Sequence, residues 1–165
     1  MIVVADTSIL LNLAVLAHGE LLRSLFASVC IPAEVAAEFD SAAARLRRFA
    51  GLRLPPWIEV RTRHTAIPQL RTNSRLDPGE LAALELAVEI AADAVLIDEA
   101  AGRAAAIGLG LTTFGILGIL LRAKEAGFIL AVSPLLDQLV QEANFFVSPA
   151  ERTRCLILAG ENPEA

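Results

Sequence analysis

The chain has 165 residues, of which 55% are hydrophobic, with 14 Lys and Arg against 19 Asp and Glu for a net charge of −5. That length suits one ordinary domain burying roughly 70% of its unfolded surface, and we read residues 1–165 as a single domain. No apolar run reaches the ~18 to 20 charge-free residues of a membrane span, so a protein built of spanning helices is excluded.

Met1 is followed at once by a strand-like run, Ile2 to Ala5, with neither the basic flank nor the cleavage site of a signal peptide, and a cytoplasmic location is expected. A helix is expected from Ser8. Val29 to Ile31 forms a second short apolar run with a helix from Pro32, and Ala94 to Ile97 a third with a helix from Glu99. Strands spaced by helices predict an α/β fold of three layers, a central parallel sheet flanked by helices. Between them, Gly51 to Ser74 carries Pro55-Pro56 and Pro68 and is the least regular part, with a strand expected near Ile58 to Val60 between mobile loops. Asp77-Pro78-Gly79-Glu80 reads as a helix start, and that helix runs to about Ile90. Gly115 to Ala126 predicts an apolar helix ending at Gly127, and Ser133-Pro134 opens another that runs to about Ala143.

The net charge hides a split. Between Arg45 and Arg75 stand eight Arg against one acid, Glu59, whereas the rest of the chain has six basic residues against eighteen acids. An acidic body with a basic flank is compatible with nucleic acid, and this stretch, Arg71 and Arg75 in particular, is the candidate for phosphate contacts. A solvated helix face explains Arg45 to Arg48 equally well. Aromatic residues make up 5% of the chain and Tyr is absent, so no stacking platform for single-stranded bases is evident. Cys30 and Cys155, far apart and with only His18 and His64 for company, cannot build a zinc site of the usual spacing.

The residues that carry chemistry are acids. Asp6 follows the first strand and Asp98 the strand at Val95 to Ile97, both where open α/β sheets place their sites. If those strands are neighbours the two carboxylates converge, which is costly unless a cation sits between them. Either Asp can instead simply cap the next helix. Glu38 lies at the edge of a helix whose buried side is marked by Val35 and Phe39, and alone it reads as a surface glutamate. Glu80 stands three residues after an Asp cap, where a capping-box glutamate belongs. Ser8 either caps a helix or hydrogen-bonds the acids at the substrate side. A phosphatase of the haloacid dehalogenase type also begins with an Asp after a strand, but it needs a second Asp two residues on, where this chain has Ser8.

As a set, these residues carry a resemblance. Val4-Ala5-Asp6-Thr7-Ser8-Ile9-Leu10-Leu11-Asn12-Leu13, Ile31-Pro32-Ala33-Glu34-Val35 running to Glu38, Leu76-Asp77-Pro78-Gly79-Glu80-Leu81-Ala82-Ala83, and Leu96-Ile97-Asp98-Glu99 with Arg103 resemble, in order and spacing, the PIN-domain proteins, in particular the prokaryotic branch similar to VapC-like toxins. Gly115 to Leu120 with Ala123-Lys124 extends the match over nearly the whole chain. The resemblance implies a carboxylate pocket at the end of a parallel sheet, Mg²⁺ or Mn²⁺ as cofactor, and metal-dependent cleavage of single-stranded RNA. It implies Asp6, Glu80 and Asp98 as direct or water-mediated metal ligands, with Glu38 as a further ligand or as the group orienting the attacking water. It also implies a cognate antitoxin as partner, and a homodimer through apolar helices. An all-oxygen donor set suits a hard cation that keeps several of its waters. The pattern departs at Gly115-Ile116, where the branch usually has Gly-Thr, so a hydroxyl that would support the acids is missing. That departure keeps a second reading open, a PIN-like module that binds a protein partner without catalysis.

Overall fold

Buried side chains alternate strictly along the strands, and this alternation splits the interior into two cores. In β1 (Ile2–Ala5), Val3 and Ala5 point to one face of the sheet and Val4 to the other; in β2 (Ser28–Pro32), Val29 and Ile31 oppose Cys30; in β4 (Ala94–Leu96), Ala94 and Leu96 oppose Val95. Period-two geometry makes both faces apolar, as a parallel sheet covered on both sides requires. With β3 (Glu59–Arg61) and β5 (Thr112–Phe114) these strands form a five-stranded, wholly parallel sheet in the order β3-β2-β1-β4-β5. The structure is a computed structural model and describes residues 1–163; the last two residues of the expected domain, 164–165, lie outside the described residues.

One face of the sheet is covered by α1 (Thr7–Val15), α2 (Glu20–Leu25), α3 (Ala33–Arg45), α7 (Ile116–Glu125), α8 (Ser133–Ala143) and α9 (Pro149–Leu158), which bury residues such as Ile9, Leu22, Phe39, Ile119, Leu136 and Leu156. The other is covered by α4 (Pro68–Arg71), α5 (Pro78–Glu89) and α6 (Ala100–Gly108), through Leu70, Leu84, Leu86 and Ala106. The expected three-layer α/β arrangement is therefore present. Among the described residues no helix is long and apolar enough to cross a membrane.

The chain winds outward from β1 through β2 to β3, then crosses back to place β4 on the other side of β1. The reversal falls between β1 and β4, and open sheets of this kind bind ligands at the carboxyl ends of the strands flanking such a reversal. Ala5 pairs with Leu96 in the register, so Asp6 and Asp98 leave the sheet side by side at that point.

Several elements were not foreseen. β5 is three residues with two threonines, too short for periodicity to register; α2 and α4 are equally brief. α9 opens with Ser148 and Glu151 in a reciprocal capping box, a signal the sequence does carry. The stretch expected as mobile loops is fastened to α5. Glu89 accepts the backbone N–H groups of His64 and Thr65 at 2.7 and 2.6 Å, and Glu85 accepts that of Ile67 at 2.8 Å.

Candidate active site

Asp6 ends β1 and caps α1. Its Oδ1 accepts the Ile9 N–H at 2.9 Å, its Oδ2 accepts the Ser8 hydroxyl at 2.9 Å, and its own N–H donates to Leu96 O at 3.0 Å. The capping role and the placement at the strand end, alternatives in the sequence, coexist. Asp6 is buried, and burial pushes its carboxyl from the ordinary 3.8 up to about 8, the hydrogen bonds from Ile9 and Ser8 pulling the other way and the charges of Asp98 and Glu80 adding to the rise.

Glu80 also does two things. Its Oε2 accepts the Asp77 N–H at 3.0 Å while Asp77 Oδ1 accepts the Glu80 N–H at 2.7 Å, so the capping box is formed. Its other oxygen, Oε1, is buried without a hydrogen-bond partner. Burial raises the Glu80 carboxyl, against the pull of the Asp77 N–H, and the charges of Asp77, Glu99 and Glu38 raise it further. Glu38, half-buried on α3, accepts the Thr7 hydroxyl at 2.6 Å through Oε2.

Asp98 accepts the Ile116 N–H at 2.8 Å through Oδ1, while its Oδ2 is buried without a partner. Burial pushes this carboxyl up to about 6 in spite of the Ile116 N–H, the Arg103 charge and the Asn12 side chain. The Ile116 side chain is fully buried in the core and its main chain supports the acid. The missing hydroxyl thus leaves Asp98 held.

Glycines make room for three of the acids. A Cβ on Gly79 would run into the Glu38 carboxylate, one on Gly102 would lie 2.8 Å from Glu80 Oε1, and one on Gly115 would lie 2.7 Å from Asp98 Oδ1. Asp6, Glu38 and Glu80 line one cavity of about 310 Å³ together with Thr7, Ser8, Asp77 and Glu99. Asp98 borders an adjoining cleft of about 870 Å³, which shares Ser8, Leu11 and Glu99 with the first.

The basic residues are distributed differently from expectation. Arg71 donates to Glu85 from Nε at 3.0 Å and from Nη2 at 3.2 Å, and Arg63 pairs with the same buried carboxylate and with Glu34. Two cations neutralise a buried acid on α5, so Arg71, expected as a phosphate contact, is engaged in an ion pair there with its side chain 47% exposed. Arg75 is exposed and borders neither cavity. The cleft beside Asp98 is lined instead by Arg48, from the predicted basic stretch, and by Arg103. Arg103, given no role from the sequence, donates to the backbone carbonyl of Asp98. Thr7 and Asn12 were also missed, and their positions one and six residues after Asp6, on the helix it caps, were the available signal.

Among the described residues no group of three or more His, Cys, Asp or Glu side chains is placed so that it could hold a metal ion as it stands. The donors nevertheless fit a hard cation. Two of the three buried side-chain polar atoms without partners, among the described residues, are carboxylate oxygens at this place, and Mg²⁺ is commonly held by one or two carboxylates with water completing its shell. Cys30 and Cys155 are buried free thiols and take no part.

The sequence matches a family described as a PIN domain over residues 2–161. A comparison with curated proteins finds no match. Among solved structures, a PilT N-terminus domain protein from the hyperthermophilic archaeon Sulfolobus solfataricus is similar in fold, with a TM-score of 0.52 and 18% identity over 74% of this chain and 93% of that one.

Proposed function

The chain belongs to the PIN-domain family, a nuclease-type fold, and on that premise we propose that it is a metal-dependent endoribonuclease cleaving single-stranded RNA at the Asp6, Glu38, Glu80 and Asp98 pocket. The observation that carries the reading is the pair of partnerless, buried oxygens, Glu80 Oε1 and Asp98 Oδ2, beside the raised carboxyl of Asp6. Leaving such atoms unsatisfied costs stability, and the acids have each been fixed by hydrogen bonds to their other oxygen. Glu80 and Asp98 would find the missing partner for these oxygens in a divalent cation.

Asp6, Glu80 and Asp98 would hold Mg²⁺ or Mn²⁺. When bound, such an ion polarises the scissile phosphate and lowers the pKa of a water for in-line attack. Ser8 and the Ile9 N–H fix both oxygens of Asp6, the Ile116 N–H fixes one of Asp98, and the capping box fixes one of Glu80. Thr7 holds Glu38 at the other wall, positioned to orient the attacking water or to serve as a further ligand. Ser8, which borders both cavities, also faces the substrate, and the exposed Arg75 serves as an outlying phosphate contact.

The resemblance to VapC-like toxins extends the proposal. The nuclease serves as the toxin of a pair in the cytoplasm, as a homodimer, and its antitoxin masks the acidic pocket with a basic side chain. The test is cleavage of single-stranded RNA, duplex RNA and single-stranded DNA across a titration of Mg²⁺ and Mn²⁺ against chelator. Cleavage of the single-stranded RNA that rises with the ion and stops in chelator supports the reading; cleavage indifferent to the ion, or none, contradicts it.

A further inference from the structure

Phe146 is 84% exposed in the wall of the cleft that borders Asp98. The loop carrying it is fixed at both ends. Asn144 ends α8 in the left-handed region at φ 56°, the Phe145 N–H donates to Leu139 O at 3.1 Å while its ring packs on the core, and Ser148 begins α9 with its capping box. A short segment held this way presents the ring to solvent at small entropic expense on binding. Two cations share the cleft and are themselves oriented: the Arg48 guanidinium carbon lies 4.7 Å from the centroid of the Phe49 ring, and Arg103 is anchored on the Asp98 carbonyl.

A bare aromatic ring would accept any apolar partner. A ring that shares its cleft with two oriented guanidinium groups, the cleft adjoining a carboxylate pocket, matches nucleotides strung on a phosphate chain. We propose that Phe146 is a stacking platform for a base of single-stranded nucleic acid next to the cleaved bond, with Arg48 and Arg103 meeting the neighbouring phosphates. This rests on the nuclease reading above and adds the path by which substrate enters. Because every base has a π face, the platform contributes affinity with little base preference.

The test uses the full chain in chelator, so that RNA stays intact, and a short single-stranded RNA carrying the fluorescent base 2-aminopurine at successive positions. Phe146→Ala and Phe146→Leu are expected to weaken binding roughly tenfold and to abolish a position-specific quench, while Phe146→Trp keeps both. Leucine matching wild type would show that bulk, not a ring, is read, and overturns the proposal. Sedimentation of the same proteins adds a second exclusion: a wild type that self-associates and a Phe146→Ala monomer that still binds RNA would make the ring an interface between copies. A wild type that neither binds nor cuts RNA removes the nuclease reading and this proposal together; normal cutting with no effect at Phe146 removes this one alone.

Discussion

The backbone N–H of Ile116 donates to Asp98 Oδ1 at 2.8 Å while the Ile116 side chain is fully buried, so one residue supports the acid with its main chain and the core with its side chain. Restoring a hydroxyl by Ile116→Thr should therefore bring no gain in RNA cleavage. It should lower stability by about 1 to 3 kcal/mol, since a buried methylene is lost and a hydroxyl enters an apolar site. A denaturation curve and a cleavage assay on one preparation check both, and a severalfold rise in rate would show the hydroxyl to matter.

Glu80→Gln separates the two jobs that Glu80 performs at once. Glutamine can keep the acceptor that caps Asp77 but relieves the burial and like-charge strain that raises the Glu80 carboxyl. In chelator above neutral pH the variant should melt higher than wild type, by an amount on the order of 1 kcal/mol, and gain less from Mg²⁺. The difference should shrink as pH falls and Glu80 takes up a proton. A variant that melts lower and gains as much from Mg²⁺ leaves Glu80 a cap alone.

Metal-free protein should lose stability as pH rises. Asp6 titrates near 8 and Asp98 near 6 in the folded chain against 3.8 ordinarily, so the folded state holds protons that the unfolded chain has released. Their contribution is fully present below the ordinary carboxylate range and is lost as pH climbs through about 6 and then about 8. Glu85, Glu89 and Glu161, lowered by their partners, act with the opposite sign and only at acid pH. Thermal melts in chelator from about pH 5 to pH 9 should slope downward, and Asp6→Asn should flatten the slope; an upward slope in wild type would contradict the burial of these acids.

Arg63→Ala should destabilise the fold by about 2 to 4 kcal/mol, because it strips a largely buried cation from the fully buried Glu85. Arg71→Ala should cost less, about 1 kcal/mol, since its side chain is 47% exposed and the Ile67 N–H and Arg63 remain. Neither should change the salt dependence of RNA binding, whereas Arg48→Ala should flatten it. A salt slope that falls with Arg71→Ala and not with Arg48→Ala would return the phosphate path to Arg71.

The elements legible in the sequence are those with a strong local cause. β1, β2 and β4 are apolar because both faces are covered, and α5 declares its start through Asp77-Pro78-Gly79-Glu80. Asp6 and Asp98 could be paired in advance because each follows an apolar strand run, Asp6 at once after β1 and Asp98 after Ile97 beyond β4; their adjacency needed the β1–β4 register. What stayed hidden depends on tertiary placement. Arg71 and Arg48 look alike in an arginine-rich stretch, and only the buried Glu85 and the cleft beside Asp98 tell them apart. Phe146 reads as one more apolar residue until the loop between α8 and α9 leaves it in solvent.

A role for Asp6 in holding the cation with which the chain cuts RNA is read most directly from one paired measurement: Mn²⁺ binding by calorimetry and single-stranded RNA cleavage on the same preparations of wild type and Asp6→Asn. The expected outcome is a folded variant that keeps the Asp6 cap geometry, binds Mn²⁺ at least tenfold more weakly, on the order expected for losing one charged ligand, and cuts no RNA. A folded Asp6→Asn protein that binds Mn²⁺ and cleaves RNA as wild type does would contradict it.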